Sequence, residues 1–260
     1  MGTIPARLRI RYTKTGRIRY TSQRDMARAI ERALRQAQLP VSYSEGFSPR
    51  PLLSYSLALP TACESLAEYI DLRFSPDIEL PSEWTVGDEA TPEEIHAVAD
   101  RLGSLLPGGI DVVAGCALDG SEGSLQEEVT SCSWIVEVAG MNAEQLDERV
   151  ASLLDAVQVP IERVRKGRKV TDDLRPSVHH LSVEGSGATP GAFRLHAELA
   201  TKPRGVRPNE LLSGIDSTLR LVRASRTSQW IERNGRRLEP LTADGQLLGS
   251  AAPTTTSGGR

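Results

Sequence analysis

Residues 8–12, Leu-Arg-Ile-Arg-Tyr, alternate apolar and basic side chains, and a period of two buries one face only in an extended strand. The pattern predicts a half-buried strand with its arginines on the open face. Lys14-Thr15-Gly16 is turn material, and Arg17-Ile18-Arg19-Tyr20 repeats the alternation as a second strand. Then the period changes. Ser22 followed by Asp25 is a variant of the capping box, so a helix starts at about Gln23. Met26, Ile30, Ala33, Leu34 and Ala37 recur at helical spacing and form its buried stripe, while Arg24, Arg28, Arg32 and Arg35 form a second stripe. The helix ends before Pro40, because the residue ahead of a proline avoids helical backbone.

Beyond that helix, Val41-Ser42-Tyr43 reads as a short strand, and further strands are expected at 52–59 and 68–74. The Pro-rich, acidic stretch 75–91 reads as a loop or insertion. Pro92 opens a helix to about Leu106, and Gly108-Gly109 leads into a strand at 110–114. This β(β)–α–β–β–α–β order is that of a split βαβ unit. Residues 118–130 read as a linker. A second series follows: a strand at 133–138, a helix at 143–156, strand-like segments at 161–164, 178–183 and 193–200, a helix at 208–213 and a strand at 219–224. Asn234-Gly235, between Trp230-Ile231 and Leu238, is a hairpin signal. The expected fold is therefore α+β: two ferredoxin-like (split βαβ) units of similar topology over 1–117 and 131–240. A disordered Ser/Thr/Gly/Ala tail is expected over 241–260.

The net charge of −3 conceals a segregation. Residues 1–60 hold 11 Lys/Arg against 3 Asp/Glu, residues 61–160 hold 3 against 21, and residues 161–260 hold 17 against 10. Binding follows local potential rather than the total, so two basic blocks leave a polyanion partner open. Only Lys14, Lys166, Lys169 and Lys202 interrupt the arginines. Arginine pairs bidentately with phosphate and stacks on bases, although a high-GC genome would also favour it. With aromatics at 4%, a nucleic-acid surface here would lean on arginine rather than on stacked rings. Cys63, Cys116 and Cys132 are odd in number and widely spaced, which fits reduced, buried thiols rather than a disulfide framework and leaves no clustered iron–sulfur motif. The N-terminus is short, basic and β-like, unlike a signal peptide, and no apolar run approaches the ~20 residues that span a bilayer. The expected location is cytoplasmic, with no membrane partner.

Three loops stand out. In Gly46-Phe47-Ser48-Pro49-Arg50-Pro51, two prolines and a glycine fix a rigid turn with Phe47 and Arg50 at its tip. Such a loop suits recognition of a base or phosphate; the alternative is a plain connection with Phe47 buried. Arg163-Val164-Arg165-Lys166-Gly167-Arg168-Lys169 reads as a basic hairpin able to follow a phosphate backbone, or as a solvated one. Lys202-Pro203-Arg204-Gly205-Val206-Arg207-Pro208 leads into a helix whose first amides, with Arg204 and Arg207, would make an anion site, or simply a capped turn. Catalytic signals are weak. Alternation would send one of His179 and His180 inward and one outward, and either could act as a general base in RNA cleavage. Asp172-Asp173 could hold a metal or form an acidic turn. No Walker loop, G-x-G-x-x-G, H-E-x-x-H or paired zinc-cysteine motif occurs.

The order of Leu8–Tyr12 with Lys14-Thr15-Gly16, Tyr20-Thr21-Ser22, Asp25-Met26, Ala29–Leu34 and Leu39-Pro40 is distinctive. Tyr43–Pro49 with Pro51, Leu52–Tyr55, Ala58-Leu59-Pro60, Glu68–Leu72, Asp173–Pro176 and Arg207-Pro208 continue it. On these residues the chain resembles the radical SAM-associated (radical SAM-linked) protein family, over about residues 7–225 and most specifically in the first 70. Members of that family of unknown function occur fused to, or beside, a radical SAM enzyme. In the first loop this chain has Ser48 and Arg50 where relatives carry Asn and His. The chain lacks the C-x-x-x-C-x-x-C triad, so the resemblance implies S-adenosylmethionine and an iron–sulfur cluster on the partner enzyme and no cofactor on this chain.

The leading expectation is a non-catalytic accessory or substrate-binding subunit for a radical SAM enzyme, recognising RNA (tRNA or rRNA). Its phosphate contacts would be Arg24, Arg28, Arg50, Arg165, Lys166, Arg168, Arg204 and Arg207, with Gly46, Phe47, Ser48 and Pro49 as a recognition loop. No catalytic or metal-binding residue is assigned. The alternatives are an RNA endonuclease of ferredoxin-like type using His179 or His180, and an adaptor that binds only protein.

Overall fold

A computed structural model describes residues 7–74, 100–118, 123–165, 167–233 and 235–241. The chain opens with strand β1 (Arg7–Lys14), a 3-10 helix (Gly16–Tyr20) and the N-terminal helix (Gln23–Gln36). Ser22 caps that helix by accepting the Asp25 amide at 3.2 Å, while its hydroxyl donates to the Asp25 carboxylate at 2.8 Å. Met26, Ile30, Ala33 and Leu34 are its buried stripe, as the periodicity requires. The second strand expected at 17–20 is instead the 3-10 turn. Four alternating residues are too few to distinguish the two, and the Gly16 backbone at φ 67° turns the chain out of the sheet.

Strands β2 (Leu53–Tyr55), β3 (Glu64–Arg73) and β4 (Val112–Leu118) complete the first half. The segment 41–43 makes only isolated bridges, Val41 to Phe74 and Tyr43 to Pro51. The expected loop at 75–91 and the start of the helix from Pro92 lie outside the described residues, as does the tail beyond Leu241. The expected linker carries one helical turn (Leu125–Glu128), and strand β5 (Val129–Ala139) starts inside its range. The central helix (Ala143–Asp155) follows. Its capping box is complete: Asn142 accepts the Gln145 amide at 2.9 Å, and Gln145 accepts the Asn142 amide at 3.2 Å. Strands β6 (Pro160–Arg165) and β7 (Arg168–Asp173) form a separate hairpin. Strands β8 (Val178–Ser186) and β9 (Phe193–Ala200), the last helix (Pro208–Ile215), β10 (Arg220–Arg233) and β11 (Arg236–Leu238) close the series.

One nine-stranded sheet runs through both halves in the order β4-β1-β3-β10-β5-β9-β8, with β2 also on β3 and β11 on β10. Every pairing is antiparallel except the short parallel step that joins the halves, Ser225 to Glu64 and Arg226 to Ser65. The fold is mixed, sheet-rich and poor in helix. Two cores flank the junction. The first packs Leu8, Ile10, Ile70 and Leu72 under the N-terminal helix. The second packs Val136, Leu146, Leu195, Leu211 and Leu212 under the other two. Among the described residues no helix is long and apolar enough to cross a membrane.

The arginine face of β1 is not open. Arg9 is 1% exposed and Arg11 is 7% exposed. Arg9 lies directly across from Asp71 on β3 and donates to both carboxylate oxygens at 2.8 and 2.9 Å, and Arg7 adds a third bond at 2.8 Å. Arg11 donates to the Glu239 carboxylate at 3.0 Å and to the Leu241 carbonyl at 3.1 Å, so residues 239–241 lie across this face of the strand. The alternation located the strand correctly, and the cover comes from residues far away in the chain.

Candidate nucleic-acid interface

The loop after Tyr43 is closed at its base and open at its tip. The Ser44 amide donates to the Arg50 carbonyl at 2.8 Å, and the Arg50 amide donates to the Ser44 hydroxyl at 3.1 Å. Below them, the Leu52 amide reaches the Ser42 carbonyl, and the Ser42 amide reaches the Arg73 carbonyl, both at 2.8 Å. Gly46 has φ 113°, a conformation closed to most side chains. Residues 45–50 are all exposed. Phe47 is fully exposed, which overturns the alternative of a buried ring. Folding leaves about 1.5–3 kcal/mol of hydrophobic stabilisation unused at such a phenyl group. Arg50, expected at the tip, instead belongs to the closing pair at the base, because its backbone bonds Ser44 in both directions; its side chain is exposed and makes no ion pair among the described residues.

At the foot of the loop a cleft of about 400 Å³ is lined by Arg7, Pro51, Leu52, Leu53, Ser54, Arg73 and Ser124. The exposed Arg73 was not singled out from the sequence. Its only signal there is its place between two inward apolar residues, Leu72 and Phe74, at the end of a strand. The N-terminal helix runs into this loop through Leu39 and Val41, and it exposes Arg24, Arg28, Arg32 and Arg35. Arg28 donates to Asp25 at 3.2 Å, but both are more than half exposed, so the pair holds the guanidinium weakly.

The basic hairpin stands on the other half of the molecule. Its register runs from Pro160 against Asp173 to Arg165 against Arg168, and Gly167 turns it at φ 76°. Arg168 and Lys169 are exposed, and Lys169 pairs with Glu162 at 3.1 Å. Lys166 and the Arg165 side chain lie outside what the structure describes. At the hairpin's base Asp172 takes ion pairs from Arg163 and, at 2.9 Å, from Arg204. The Arg163 hydrogen bond is the main cause holding the Asp172 carboxyl below its ordinary range. Arg204 also donates to Glu210 at 3.0 Å. It is thus tied between the hairpin and the last helix, whereas Arg207 is exposed with no ion pair among the described residues. Asp173 accepts the Val159 and Arg175 amides at 2.8 and 3.0 Å, so both aspartates serve as local ties. The described residues hold no group of three or more potential metal ligands.

His179 and His180 are both exposed, where simple alternation would split them between the two faces. A register shift between Val178 and His180 against β9 breaks the period. His179 lies 3.8 Å from Glu198, and the His180 ring sits 5.2 Å from the ring of His196. The structure therefore gathers the loop at 46–49, Arg50, Arg73 and the arginine-bearing helix on one half. Arg168 and Arg207 belong to the other.

Residues 7–208 match the model of a family described as an uncharacterized protein conserved in bacteria (DUF2344). No curated protein matches the sequence. A solved structure described as a crystal structure of a Cbf5-Nop10-Gar1 complex is similar at 8% identity with a TM-score of 0.45. That likeness covers 86% of this chain and 49% of the other, so the chain spans about half the length of the structure it matches.

Proposed function

The chain belongs to DUF2344, a family of uncharacterized proteins conserved in bacteria, and from that premise we propose that it is a non-catalytic, cytoplasmic RNA-binding module. In this reading it holds single-stranded RNA for a partner enzyme. The observation that carries the reading is Phe47: a fully exposed ring on a loop tied shut at its base, where the exposed Arg50 makes no ion pair among the described residues. An aromatic face held in water has little role in folding, but it offers a stacking platform to an unpaired base. Arg50 supplies the charge for a neighbouring phosphate, and Arg24, Arg28, Arg32 and Arg35 continue the basic surface along the helix. We read the strand orders β4-β1-β3-β2 and β10-β5-β9-β8 as a pair of ferredoxin-like units that set this surface on a rigid sheet. The resemblance to radical SAM-associated proteins supports a radical SAM enzyme as the partner, with S-adenosylmethionine and the iron–sulfur cluster on that enzyme.

The test is binding of total cellular RNA to the purified chain at low and high salt, beside Phe47→Ala and an Arg24→Glu/Arg28→Glu variant. Loss of one stacked base should weaken binding about tenfold in Phe47→Ala with little change in salt dependence. The charge reversal should instead flatten the salt dependence. Absence of salt-sensitive binding by the parent chain, or unchanged affinity in Phe47→Ala, would reject the proposal and leave a protein-binding adaptor.

A further inference from the structure

A second concave site lies where the two halves meet, away from the Phe47 loop. It is a pocket of about 160 Å³. Leu57, Leu199 and Val206 supply apolar walls, Trp134 and Arg226 are nearly fully buried against it, and Arg207 lines it from the exposed side. A pocket near 150 Å³ with apolar walls has room for one benzene-sized ring. The two arginines are not equivalent. Arg226 donates to Glu68 and to the Leu57 carbonyl and sits over the Trp134 ring, so its charge is balanced within the protein. Arg207 makes no ion pair among the described residues. The pocket thus offers one ring-sized apolar volume and, beside it, one guanidinium that makes no ion pair among the described residues.

We infer that this pocket binds a small aromatic carboxylate, its ring between Leu57, Leu199 and Val206 and its carboxylate on the Arg207 guanidinium. A monoanion matches one guanidinium without an ion pair among the described residues, and a flat ring matches the volume. The inference is independent of the RNA reading proposed above, because it uses neither the Phe47 loop nor the N-terminal helix; Arg207, expected from the sequence to contact phosphate, lies on the other half of the molecule.

Isothermal titration of the full chain with benzoate, and with neutral benzamide, tests it. The expected result is saturable one-to-one binding of benzoate. Arg207→Gln should weaken it about tenfold, the loss of one charge-assisted hydrogen-bond pair, and benzamide should be weakened to a similar degree on the parent chain. Arg207 is exposed, its side chain makes no ion pair among the described residues, and the bond from its backbone amide to Glu210 at 2.9 Å is kept in Arg207→Gln, so this variant leaves the fold intact. Ala58→Leu, at an exposed position lining the pocket, should block both ligands by occupying their space. No saturable benzoate binding to the parent chain, or equal affinity in the parent and both variants, would overturn the inference. RNA binding by Arg207→Gln and Ala58→Leu, measured in parallel, separates failure of this site from failure of the loop.

Discussion

Glu64 shows how the arginines of this chain are spent. Its carboxylate is 2% exposed and accepts hydrogen bonds from Arg19 at 3.0 Å, from Arg223 at 2.7 Å and from the Gly16 amide at 3.0 Å. Burial alone would raise this carboxyl, but the bonds from Arg223, Arg19 and Gly16 outweigh it and hold it below its ordinary value. In the unfolded chain the group titrates at its ordinary value. Its contribution to stability is therefore complete above that value and is lost as pH falls through the lower, folded one. Glu64→Gln should cost about 2 kcal/mol at neutral pH. Urea titrations of both proteins across the acid range should show that gap closing. A gap that stayed constant would exclude the carboxylate as the group responsible. The same accounting limits what charge segregation says about partners. Arg7, Arg9 and Arg226 count toward the basic blocks but are committed inside the protein. Composition cannot separate them from Arg24 or Arg50, because the partner of Arg9 stands 62 residues away.

Elements with local signals were the most legible. The N-terminal and central helices carried their caps and apolar stripes in consecutive residues, and the Asn234-Gly235 signal marked the β10–β11 hairpin. Where the deciding contact is distant, the pattern fell short. The strand expected at 52–59 is ordered as β2 over only three residues, because β3 pairs with it just at Leu53–Tyr55. The strand expected at 219–224 extends to Arg233 because β5 supports it along its length. The recognition loop was legible as a rigid turn, but its exposure was not, since nothing local decides whether a neighbouring element covers Phe47. Gly214 gives a sharper case. Helix propensity alone would favour alanine there by about 1 kcal/mol. In the last helix, however, an added Cβ would lie 2.3 Å from Leu174 Cδ2 and 3.2 Å from Val159 Cγ1, and Leu174 is fully buried. Overpacking of about 1–3 kcal/mol outweighs the gain. Thermal and urea denaturation should find Gly214→Ala less stable than the parent, and a stabilised variant would show that the hairpin base can yield.

At the scale of the whole molecule, the halves are joined through two ladder positions and a set of buried polar bonds. Arg226 on β10 reaches Glu68 on β3, and Gln229 donates to Ser56 at 3.1 Å and to the Ala67 carbonyl at 2.6 Å. Opening this junction would break a buried ion pair and three further hydrogen bonds and expose the apolar surface packed around them, so the halves should unfold together. Fluorescence from the tryptophans of β5 and β10 and hydrogen exchange of β1 amides should report one shared urea midpoint. Arg226→Met should lower that midpoint, and two separated midpoints in the parent chain would refute the coupling. The cover over β1 has a different implication. Because the Leu241 carbonyl accepts from Arg11, Leu241 lies within one strand's length of Arg7, although 234 residues of chain separate the two. The Arg11 bonds thus work as a clasp, holding residues 239–241 against the strand at the other end of the sequence without a ladder hydrogen bond.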